Sequence, residues 1–110
     1  MNKQVKDYLG THPSGIADMY YHLRQIIFAS VSCTPEETLW ARLPSYYVGE
    51  SFVRLIPFKD HINIEARAIM QHKDELAFYK ITPKGMLQIR LGQPIPDAVL
   101  NRVFAETLVG

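Results

Sequence analysis

The chain has 110 residues, 47% of them hydrophobic and 21% charged, which fits one globular domain and excludes both a disordered chain and a two-domain one. Its 12 Lys and Arg against 11 Asp and Glu leave a net charge of +1, without the basic excess of a dedicated nucleic-acid binder. Cys33 is the sole cysteine, so no intrachain disulfide can form, and a reducing, cytoplasmic compartment is expected.

Residues Met1 to Asp7 contain no apolar leader core, and the apolar stretch Ile16 to Phe28 is interrupted by Asp18, His22, Arg24 and Gln25. Neither a signal peptide nor a membrane span is therefore expected. In chain order, a short helix over roughly Lys3 to Leu9 ends at Gly10, and Pro13 suits the first turn of the next. In that second helix Ile16, Met19, Tyr20, Leu23, Ile26 and Ile27 recur at three- and four-residue spacing, which makes one apolar stripe. It should fade near Val31 to Cys33, where Cys33 reads as a small buried hydrophobe.

The period then becomes two. Thr38 to Leu43 reads as one strand with Leu39, Ala41 and Leu43 inward, followed by a short edge strand over Ser45 to Val48 and a turn at Gly49 to Ser51. Phe52 to Phe58 is a strand that Pro57 places at an edge or marks as ending, and Lys59-Asp60 is a link of hairpin length to His61 to Glu65. A helix over roughly Ala66 to Tyr79 follows, with Ala66, Ile69, Met70, Leu76 and Ala77 on one face. After the turn Thr82 to Gly85, Met86 to Leu91 forms a strand with Leu87, Ile89 and Leu91 inward. Asp97 opens a final helix whose buried stripe is Val99, Leu100, Val103, Thr107 and Leu108. The order α-α-β-β-β-β-α-β-α implies an α+β fold: an antiparallel sheet of about five strands with the helices mostly on one face.

If the helices take the apolar face, the other face collects Trp40, Arg42, Arg54, His61, Asn63, Glu65, Gln88 and Arg90. Trp and Arg together are the residue types that dominate binding hot spots. The bland alternative is that Trp40 packs beneath the Arg side chains as a satellite cluster on an ordinary solvated face.

Several segments fall in an ordered pattern: Trp40-Ala41-Arg42-Leu43-Pro44-Ser45-Tyr46, Phe58-Lys59-Asp60-His61-Ile62, Lys73 to Lys80, Lys84 to Ile89 and Pro94-Ile95-Pro96. Taken together they resemble the YdhG-like family of small bacterial domains of unknown function, over nearly the whole chain (1–110, one domain). The resemblance implies a fold similar in plan to frataxin. It also raises an alternative activity, a frataxin-like intracellular iron chaperone. The sequence departs from the common pattern at Arg42-Leu43-Pro44 and at Asn63. The resemblance brings no catalytic residues with it.

Iron would need clustered oxygen ligands. The candidate metal residues are Glu36, Glu37, Asp74 and Glu75, with Asp7 and Asp18 as a further pair, and each is equally a solvated charge. His61 and Glu65 share a strand face, but four residues of strand separate them by roughly 13 Å, too far for one ion. His61 is better read as a structural hydrogen-bonding group at the hairpin end. No Gly-rich phosphate loop, Gly-x-Ser-x-Gly, His-Glu-x-x-His or Cys-x-x-Cys occurs, so the reading is a non-enzyme with no cofactor. The expected function is a binding module that uses Trp40, Arg42, Arg54, His61 and Arg90 for a protein partner, a small ligand or a second copy in a homodimer. Membrane and nucleic-acid partners are not expected.

Overall fold

A computed structural model describes residues 1–109. Two helices, α1 (Lys3–Leu9) and α2 (Ser14–Ala29), precede four strands, β1 (Glu36–Trp40), β2 (Leu43–Val48), β3 (Ser51–Pro57) and β4 (His61–Ala66). A 3-10 segment (Arg67–His72), strands β5 (Lys80–Ile81) and β6 (Leu87–Arg90), and helix α3 (Asp97–Leu108) complete the order. All six strands pair antiparallel in the spatial order β1-β2-β3-β4-β6-β5. The α+β expectation is met, with one strand more than the sequence suggested.

The pleat sorts residues between the faces. Val53, Leu55, Ile62, Ile64, Leu87 and Ile89 point inward and are fully buried in one core with Ile16, Tyr20, Leu23 and Ile27 of α2 and Leu100, Val103 and Phe104 of α3. Burying side chains of this size is worth about 1.5–3 kcal/mol each, and this explains why the helices gather on one side. None of the helices among the described residues is long and apolar enough to cross a membrane.

A polar clamp crosses this core. Glu37 points inward from β1 with its side chain 7% exposed, and receives hydrogen bonds from Arg24 Nε (2.6 Å), the Asn2 backbone N–H (2.7 Å) and Tyr46 Oη (2.7 Å). Tyr20 Oη lies 2.6 Å from Tyr46 Oη. Burial alone would raise the Glu37 carboxyl, but these hydrogen bonds and the Arg24 charge outweigh it and hold the group below the usual carboxylate range. Asn2 also donates Nδ2–H to the Glu37 carbonyl, which covers part of an otherwise open sheet edge.

Several expectations are corrected. Thr38 to Leu43 is not one strand: Ala41 (φ 50°) and Arg42 (φ 66°) form a two-residue hairpin turn, closed by the Trp40–Leu43 pair. Leu43 therefore shares the outer face with Trp40, and Ser45 to Val48 is an interior strand rather than an edge. The helix over residues 66–79 is a 3-10 segment followed by turns, with Ala68, Ile69 and Leu76 buried and Met70 and Ala77 exposed. The cause is tertiary. Thr107 Oγ1 accepts the Ala68 N–H and Arg67 donates to the carbonyls of Glu106 and Thr107, so the segment is tied across the end of α3. Leu91 leaves the sheet after Arg90 and stands 43% exposed, and Cys33 is exposed on the loop after α2.

Candidate functional site

The outer sheet face is built around Arg54. Register places Thr38, Ser45, Arg54 and Glu65 in one row across β1 to β4. Arg54 is only 6% exposed although it points to the face opposite the Val53 and Leu55 core side chains. Its guanidinium carbon lies 4.2 Å from the Trp40 ring centroid and 3.8 Å from that of Phe52, so two aromatic rings bury it. Its nitrogens donate to Ser45 Oγ (3.1 Å), Tyr47 Oη (3.1 Å) and Glu65 Oε1 (3.2 Å). Ser45 in turn donates to the Leu43 carbonyl (3.0 Å). This planar, forked group is fixed at the centre of the face, and Lys could not reproduce the arrangement.

Trp40 gains from this. One face of its indole rests on Arg54, yet 53% of the residue remains exposed. It sits next to the Ala41–Arg42 turn, whose two positive φ angles are those Asn-Gly usually supplies. L-residues there cost about 1–2 kcal/mol each, so the hairpin tip is strained. Arg42 is exposed at that tip and not on the sheet face where the alternation had placed it.

His61 and Arg90 face each other across β4 and β6 at the far end of the same face. His61 Nδ1 hydrogen-bonds Asp60 Oδ1 (2.7 Å) and its ring stacks on Phe58 at 4.5 Å, while Arg90 lies 3.6 Å from Asp60 Oδ2. The His61 hydrogen bond, with the charges around it, holds the Asp60 carboxyl below its ordinary range. Between the two ends, Asn63 and Gln88 are register partners whose Oδ1 and Oε1 atoms are buried without a hydrogen-bond donor among the described residues. The alternation had identified both positions but not their lack of partners, which is a non-local property.

The structure thus brings Trp40, Arg54, His61 and Arg90 to one face, adds Phe52, Ser45 and Tyr47 to the group, and moves Arg42 to its rim. The carboxylates considered for iron do not converge. Glu36 and Glu37, adjacent in β1, point to opposite faces, and Glu37 is committed to the Arg24 clamp. Glu75 is held by His72 Nδ1 (2.8 Å) and by Arg102, and Asp74 is exposed. Among the described residues no group of three or more His, Cys, Asp and Glu side chains is placed to hold a metal ion. No protein-family model, no curated protein and no solved structure matches the chain.

Proposed function

We propose that the domain is a non-enzymatic binding module and that its outer sheet face, centred on Trp40, is the surface that docks a protein partner or a second copy of the chain. The observation that carries this reading is the half-exposed Trp40 indole held on a buried Arg54 whose three nitrogens are each hydrogen-bonded. A rigid aromatic anchor of this kind loses little entropy on binding. The strained turn beside it is the sort of local cost that persists at functional sites. We also place the chain with YdhG-like domains, on the motifs of its Phe58–Ile62 hairpin and Tyr79–Ile89 segment.

Light scattering across a concentration series tests self-association. The expected result is a concentration-dependent mass in the wild type that falls to the monomer in Trp40→Ala with Arg42→Ala. A wild type that stays monomeric at every concentration removes the second copy as partner. Anaerobic titration with ferrous iron separates the iron-chaperone alternative. Binding that survives in this double variant and is lost when Glu36, Glu37, Asp74 and Glu75 are neutralised would replace the sheet-face reading.

A further inference from the structure

A cleft of about 370 Å³ lies at the end of the sheet, where β3, β4, the 3-10 segment, the end of α3 and the turn between β5 and β6 meet. Its volume is at the small end of the range for ligand pockets, roughly 300–1,000 Å³. Phe52, Ala66 and Met70 give it an apolar lining. Met70 is 51% exposed, so its flexible thioether is free to pack on a molecule in the cleft.

The charged groups around this lining are unequal. Glu65 faces the cleft, but its charge is met by Arg54 at 3.2 Å. Arg67, which also lines the cleft, donates N–H bonds from one guanidinium nitrogen to the carbonyls of Glu106 and Thr107 near the end of α3, so part of its charge is met by the negative end of that helix. Lys84 is exposed and forms no ion pair among the described residues. Its position is fixed by a closed turn. Gly85 N–H donates to the Thr82 carbonyl (2.8 Å), Met86 N–H donates to Thr82 Oγ1 (3.1 Å), and Pro83 sets the corner. Gly85 has φ 88°, and a Cβ there would lie 3.9 Å from Met70 Cγ, so the turn abuts the apolar wall.

We propose that this cleft is a binding site for a small carboxylate with an apolar body, its hydrocarbon part lying on Phe52 and Met70 and its carboxylate meeting Lys84 and Arg67. The charge balance selects the class: Lys84 without an ion pair, Arg67 only partly offset by the end of α3, and one anion already met by Arg54 favour a single negative charge over a cation or a neutral group. The site does not depend on the sheet face acting as a docking surface, although Phe52 belongs to both.

The test is a titration of the full chain, followed by backbone amide NMR, with 3-phenylpropionate and 4-methylvalerate, each against its uncharged amide. The expected result is saturable shifts at Ser51, Phe52, Ala66 and Gly85 with a Kd of about 1 mM or tighter. Each amide should bind about tenfold more weakly. Lys84→Gln should weaken the acid severalfold and leave the amide unchanged, the remaining preference for the acid being Arg67's share, and Met70→Ala should weaken acid and amide alike. Both positions are exposed, and the same spectra report whether each variant is folded. Absence of saturable shifts at these residues up to about 10 mM with both acids, equal binding of acid and amide, or a Lys84→Gln variant that binds the acid unchanged overturns the proposal.

Discussion

Replacing Arg54 by Met probes the outer face at its centre. The substitution keeps an unbranched side chain between the Trp40 and Phe52 rings but removes the guanidinium. Two desolvated cation–π contacts, at 4.2 and 3.8 Å, are lost, each worth about 1 kcal/mol. Hydrogen bonds to Ser45, Tyr47 and Glu65 are also lost. The partners left behind are not stranded: Glu65 is 40% exposed at its side chain and can hydrate, and Ser45 keeps its bond to the Leu43 carbonyl. Relief of the Arg desolvation offsets part of the rest. The expected net loss is about 2 kcal/mol, a roughly thirtyfold drop in the folding equilibrium. Arg54→Lys should lose nearly as much, because an ammonium cannot stack and fork at once. Urea denaturation followed by far-ultraviolet circular dichroism measures both. A variant within about 0.5 kcal/mol of wild type in either case would refute the view that this Arg organises the face.

Two further outcomes are expected. Glu37→Gln should cost about 2 kcal/mol at neutral pH, through loss of the Arg24 pair. Because the Glu37 carboxyl is held low in the folded state, its contribution is present above the usual carboxylate range and disappears as pH falls through the folded value. Wild type should therefore lose stability more steeply than the variant as pH falls below the usual carboxylate range, and parallel curves would contradict the clamp. Ala41→Asn with Arg42→Gly should raise stability by about 1 kcal/mol by relieving the left-handed turn. A loss of stability there would show that the turn is not strained.

The legible parts of the fold were those written in strong periods. Ile16 to Ile27 gave the long helix, and the alternations at His61–Glu65 and Leu87–Arg90 gave two strands and their faces. The hairpin at Lys59-Asp60 was also readable from its length. The Ala41–Arg42 turn was hidden because neither residue is one that φ above zero favours, so an apolar alternation ran straight through it. The stretch over 66–79 carried helical spacing, but Thr107 and Arg67, each contacting residues some 40 positions away, set its actual path. Strand β5 has two residues, too few to show any period. For the site, face membership of Trp40 and Arg54 was legible, whereas the burial of Arg54 was not. Phe52 stands two residues away on the same strand face, but the Trp40 ring reaches Arg54 from β1, two strands across the sheet, and no local pattern encodes that contact.

Trp40 is the only tryptophan, so its fluorescence reports the candidate surface without interference. Emission and acrylamide quenching, measured along the same concentration series and with any bound protein partner, test the central claim directly. The account predicts a readily quenched indole in the free monomer, and a blue-shifted, protected one when the sheet face is occupied. An indole that remains equally quenchable in the associated state would contradict it.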